Sequence, residues 1–292
     1  RRLPGISLLP KHFDWSTVKA QMGFSIAAYL ITFSNMLMAK SDQLVISLTI
    51  GVAMVAVYQA GFKMAEMLGL FSVQLQQVLS PAAAAMHALG DDSGLRKLLL
   101  SSSRLTFFLV TPCYLLSAVY LEALISLLTG MESVPRETWW VGQVLLFAVF
   151  SSQLTNGCSK RVLMMCGDER RLLFISISDA VANVILSVIL AFKFGVLGVA
   201  LGTMIPTTLV GWLWVVPLTV TRLKIPWRTY LMHHLQGTVV PLAVFSAILA
   251  ALAIWVPASG KSGFLELGWR GVACMVPLLF LGREVIRGMA RA

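Results

Sequence analysis

Eight apolar stretches of roughly 20 residues or more divide this chain, at about 20–47, 52–78, 103–122, 139–158, 172–192, 196–221, 238–256 and 267–286. At about 1.5 Å per residue, a helix of that length crosses a hydrocarbon layer of roughly 30 Å. Backbone amides and carbonyls in lipid find no water to bond, so such runs satisfy themselves as helices. The expected fold is an all-α integral membrane protein with eight transmembrane helices. Only 12% of the 292 residues are charged and 58% are hydrophobic, whereas a soluble domain keeps about 25% charged. That excludes a soluble globular enzyme, a disordered tail and a secreted disulfide scaffold.

The formal net charge is +10, but its placement excludes nucleic acid as a partner. Lys and Arg fall in short clusters between apolar runs, as in cytoplasmic loops that retain positive charge. With a cytoplasmic N-terminus, the inner segments hold 17 basic residues and the outer ones four: Arg136, Lys193, Lys261 and Arg270. Both termini are therefore expected in the cytoplasm. Trp139, Trp140, Trp255 and Trp269 fall at outer ends and Trp15 and Trp227 at inner ends, as interfacial anchors. One boundary stays open. A break at Lys40-Ser41-Asp42 gives spans 20–39 and 43–62 with the same orientation, and leaves Lys63 and Glu66 on an inner interfacial helix. The chain opens on Arg1-Arg2 instead of a methionine, which points to a piece of something longer.

Chemistry-bearing motifs are sparse. There is no nucleophile elbow, phosphate-cradling glycine loop or His-Glu-x-x-His, so neither an enzyme nor a cofactor nor a metal site is expected. Cys113, Cys158, Cys166 and Cys274 lack metal-type spacing and read as reduced, buried thiols. Gly90-Asp91-Asp92 reads as a turn before the helix that starts near Leu95.

Polar groups inside the spans remain. A mid-membrane charge costs roughly 2.5–3.5 kcal/mol, so such groups face protein or a water-filled cavity. The candidates are Lys40 and Asp42, Lys63 and Glu66, and Asp179 with Asn183, with Tyr58 and Asn156 as weaker members. Lys63 shares a helix face with Glu66, as Asp179 does with Asn183. Lys63 and Glu66 either neutralise each other and pin neighbouring helices or line a transport pathway. Asp179 has no basic residue within one turn, so it is either a protonated carboxyl sharing hydrogen bonds or a pathway group. Gly198 and Gly202 have the GxxxG spacing that lets helices approach. Pro112, Pro206 and Pro277 lie inside spans and permit bends.

The stretch KSDQLVISLTIGVAMVAVYQAGFKMAE (Lys40 to Glu66) is followed by LSPAAAAMHALGDDSGLRKLL. Together they resemble the bacterial polysaccharide-flippase family, part of the multidrug/oligosaccharidyl-lipid/polysaccharide exporter superfamily. Asp42, Gly51, Tyr58, Ala60, Pro81 and Gly90-Asp91 occupy the places of the family pattern. A second stretch, from Asp179 to Thr203, is similar to the family's Asn-containing helix and Gly-x-x-Gly-x-Ala turn, here Asn183, Gly195, Gly198 and Ala200.

The resemblance implies two lobes of six helices around a central cavity, with two extra C-terminal helices. On that plan, 1–19 is a cytoplasmic segment, 20–222 the six-helix C-lobe, and 223–292 the two additional helices and a cytoplasmic tail. The plan also favours keeping Lys63 and Glu66 inside the second span. The implied activity is transport of lipid-linked oligosaccharide across the bacterial inner membrane by alternating access, within surface polysaccharide biosynthesis. Lys40 and Lys63 would offer positive potential to an anionic pyrophosphate or acidic sugar. Asp42, Glu66, Asp179 and Asn183 would hold sugar hydroxyls, bind a coupling cation or fix the lysines. Expected partners are the lipid-linked glycan, membrane lipid, the missing N-terminal lobe, and a polysaccharide polymerase or glycosyltransferases. Two alternatives stand beside this reading: a cation-coupled multidrug exporter of the same superfamily, and a membrane-embedded polysaccharide polymerase or ligase.

Overall fold

The computed structural model describes residues 15–255, 264–281 and 283, and all its regular elements are helices. The first, α1 (Trp15–Thr49), runs unbroken through Lys40-Ser41-Asp42. The chain turns instead at Gly51, whose φ of 134° suits a residue without Cβ. The longer of the two boundary readings is the observed one. Helix α2 (Val52–Gln77) carries Lys63 and Glu66 and leads into the short α3 (Leu79–Ala88).

Gly90, at φ 68°, turns the chain into α4 (Asp92–Val119). The Asp91 carboxylate accepts from the Gly94 amide at 2.9 Å, satisfying one of the orphan donors of the first turn. The acidic turn is thus a helix start, as expected, and the helix begins three residues before Leu95. After α5 (Leu121–Thr129), α6 (Arg136–Ser152) passes through a π turn at Gln153–Gly157 into α7 (Cys158–Met165). The fourth span therefore extends beyond its expected end at residue 158.

Helix α8 (Glu169–Val210) is two helices joined at Gly195, whose φ of 59° and ψ of −139° break the helical path. The two limbs fold back on one another. A Cβ on Gly202 would lie 2.5 Å from the Ser187 Cα, and one on Gly198 would overlap the Leu190 carbonyl. The GxxxG pair therefore seals a hairpin, at the boundary expected between spans five and six. The returning limb passes through a second π turn (Gly211–Val215) into α9 (Val216–Arg222). Helices α10 (Trp227–Leu235), α11 (Val239–Trp255) and α12 (Phe264–Leu281) follow. Pro112, Pro206 and Pro277 lie inside α4, α8 and α12.

Three stretches among the described residues are long and apolar enough to cross a membrane: Met22–Thr49, Asp92–Val119 and Glu169–Arg222. Trp227–Leu235 with Val239–Trp255, bent by 49°, makes a fourth if the pair is one span. That count does not confirm eight. The reasons are local. Glu169–Arg222 contains both limbs of the hairpin, α6 is interrupted by its π turn, and α2 carries Lys63, Glu66 and several glutamines.

The packing is that of a protein whose solvent is lipid. Leu48, Phe192 and Trp255 are at least 75% exposed, while Asp42, Asp179, Asn183 and Ser187 are buried. Apolar groups gain nothing by hiding from hydrocarbon, so close helix approach and polar contacts hold the interior. Gly61 and Gly142 mark one such approach: a Cβ on Gly61 would sit 2.9 Å from the Gly142 amide, between α2 and α6. The two C-terminal helices dock through Phe245, Leu249, Cys274 and Leu278 onto Phe108 of α4 and Tyr120 at the start of α5. All four cysteines are free thiols, three of them buried and Cys113 half-buried.

Candidate functional site

Asp42 lies in the second half of α1 and is 3% exposed. Three hydroxyls point at its carboxylate. Tyr58 of α2 donates at 2.5 Å, Thr203 of the returning α8 limb at 2.8 Å, and Ser187 of the outgoing limb at 3.5 Å. The Asn183 amide donates to the Thr203 oxygen at 2.9 Å, leaving the Thr203 proton to point at Asp42. The hairpin makes this arrangement possible, because closure at Gly198 and Gly202 brings residues 183 and 187 beside 199 and 203.

Asp42 borders a cavity of about 190 Å³ shared with Asn35, Tyr58, Ser152, Asn156, Lys160, Asp179, Thr203 and Thr207. A second cavity of about 320 Å³ adjoins it, lined by Gln76, Gln153, Arg161 and Met164 among others. Asn35, Ser152, Asn156 and Lys160 line both and stand at the boundary between them. The π turn builds part of this boundary. Its wider winding is a common device at functional sites, and here it presents Gln153 and Asn156 while Gly157 leaves room for the Gln76 side chain. Gln76 donates to Gln153 at 3.1 Å, and Asn156 to Ser152 at 3.2 Å.

Several oxygens in and beside the inner cavity are buried without a hydrogen-bond partner: Asp179 Oδ1, Asn156 Oδ1, Asn183 Oδ1 and Thr207 Oγ1. An unsatisfied buried polar atom costs about 1–3 kcal/mol, so a group of them marks a place where something else supplies the interaction. Carboxylate, amide and hydroxyl oxygens are the ligands that hard cations take.

Of the residues expected from sequence, Asp42, Tyr58, Asn156 and Asp179 meet at one cavity and Asn183 joins them through Thr203. Lys40, Lys63 and Glu66 do not. Lys40 is exposed on α1, and Lys63 pairs with Glu66 at 2.8 Å with side chains 54% and 42% exposed. The inward face of α2 runs through Tyr58, Ala65, Leu68, Ser72 and Gln76 instead. Sequence reasoning missed Lys160, Ser187 and Thr203. Lys160 falls just past the expected end of its span and counted as a loop cation. The small hydroxyls have no signal in a hydropathy pattern.

Residues 8–134 match the family model described as "Polysaccharide biosynthesis protein". The match bears out the resemblance as far as polysaccharide biosynthesis, over a segment that covers Asp42, Tyr58 and the Gly90-Asp91 turn. No curated protein and no solved structure matches the chain.

Proposed function

We propose, from the match to polysaccharide biosynthesis proteins, that this chain is the C-terminal portion of a transporter for lipid-linked oligosaccharide. It acts in the bacterial inner membrane by alternating access, with both termini in the cytoplasm. Its eight spans are α1, α2, α4, α6 with α7, the two limbs of α8, α11 and α12. The first six form a lobe over 20–222, and the last two are additional helices within 223–292. The observation that carries this reading is the Asp42 cavity, where two buried carboxylates meet amide and hydroxyl groups beside Met38 and Phe62 in the interior of the helix bundle.

At about 190 Å³ the chamber is small for an oligosaccharide and suits a coupling cation held by Asp42, Asp179 and the neighbouring amides and hydroxyls. The exposed Lys40, Lys63 and Glu66 are left for the face turned toward the missing N-terminal lobe, where the cations attract an anionic pyrophosphate or acidic sugar. Ion and glycan thus occupy separate parts of the lobe, and α1 and α2 touch both.

The test is export in cells. Lys63→Ala and Asp42→Asn each reduce surface polysaccharide while the protein still reaches the membrane. Normal surface polysaccharide in both variants would refute the assignment. Transport of an organic cation with no need for a lipid-linked glycan would move the protein to the multidrug branch.

A further inference from the structure

Lys160 is left without a role by the reading above. It lies on α7 just beyond the π turn, and its side chain lines both cavities. Its neighbour Arg161 lines only the outer one. Asp179 is within Coulombic reach of the ammonium. Even so, they do not close to an ion pair within 4.0 Å, as Lys63–Glu66, Arg171–Asp168 and Arg222–Asp168 do. The amine therefore stands near its carboxylate without being bound to it.

The charge balance of the inner cavity depends on this residue. Two carboxylates, Asp42 and Asp179, face one ammonium among the residues that line it. Whether the ammonium or a monovalent cation sits against them, the two carboxylates keep the same net charge of −1, so one can replace the other without changing the charge of the chamber. Without the ammonium, two carboxylates would share a small chamber inside an apolar bundle, where uncompensated charge is expensive. Lysine also has the reach for two positions, since its compact charge rides on a flexible four-carbon stem. Asn156, whose Oδ1 is an acceptor without a partner, lines both cavities, and Gln76 and Gln153 line the outer one.

We infer that Lys160 is a tethered counter-cation. Its ammonium occupies the Asp42–Asp179 cavity in competition with the coupling ion and swings toward the outer cavity when that ion binds. The inference rests on the cation assignment made for the cavity. It assigns an affinity-setting role to a residue that is not itself a ligand of the ion.

The experiment measures binding of radiolabelled sodium to the purified protein in nanodiscs, at constant ionic strength. Removing a positive charge from the cavity lining raises sodium affinity on the order of tenfold in Lys160→Gln. Lys160→Arg keeps the charge and stays close to wild type. Lys160→Met is a second neutral variant that shows the same gain if the Gln variant is not recovered folded. A neutral variant that binds sodium only as tightly as wild type, or less tightly, overturns the counter-cation while leaving the cation site in place. Absence of sodium binding in wild type and neutral variants alike overturns both. Binding that appears only in the neutral variants supports the inference, because the ammonium then excludes the ion.

Discussion

Replacing Gly195 by Ala tests whether one backbone conformation holds the α8 hairpin closed. Gly195 sits at φ 59° and ψ −139°, a combination that residues with a Cβ avoid. An added Cβ there would meet nothing within 4 Å, so the penalty is purely conformational, about 1–3 kcal/mol. Gly23 provides the matching control. It lies inside α1, and its added Cβ also meets nothing within 4 Å, so Ala there gains about 1 kcal/mol of helix propensity. Two chemically identical substitutions in open space should thus move stability in opposite directions. At about 2–4 °C per kcal/mol for chains of this size, Gly195→Ala melts several degrees below wild type and Gly23→Ala a few degrees above it. Thermal melts of both variants, purified in one detergent, give the comparison. A Gly195→Ala protein that melts at or above wild type would show that the turn does not depend on a glycine conformation.

Gly202→Val drives a branched side chain into the Ser187 backbone and should cost about 3 kcal/mol or more, read as loss of folded protein after detergent extraction. Lys63→Ala removes an exposed ion pair and should change thermal stability by less than about 1 kcal/mol, which separates its export defect from misfolding. The Gly94 amide, followed by the Ser93 hydroxyl, holds the exposed Asp91 carboxyl below the ordinary carboxylate range. A depressed folded-state pKa stabilises above the unfolded value of about 4, and this contribution disappears as pH falls through the folded value. Asp91→Ala should therefore melt below wild type at neutral pH, and the gap should close in melts taken at progressively lower pH.

Much of the fold was legible because lipid demands long uninterrupted apolar runs, and the hairpin boundary at Gly195 was visible as a glycine cluster between two of them. The first boundary was not, because Lys40-Ser41-Asp42 has the composition of a loop. Only burial of Asp42 under Tyr58 and Thr203 shows why α1 tolerates those residues. The site was half legible for a related reason. Asp42, Asp179 and Asn183 stand out as polar groups in apolar runs, and their burial explains the exception. Lys63 and Glu66 stand out equally, yet helical spacing says only that they share a face and not which way it points. Lys160 was hidden by the π turn, which carries the helix past the point where its apolar composition ends.

The turn at Gly195 also bears on how this part of the protein enters a bilayer. Its two limbs meet with almost no connecting loop, and Lys193 is the only charged residue near the tip. A polar loop between two spans must be dragged through hydrocarbon during biogenesis, and here there is almost none to drag. The two limbs can partition together as one preassembled wedge, already carrying the Asn183–Thr203 hydrogen bond, so half of Asp42's surroundings arrive in the membrane as a single object.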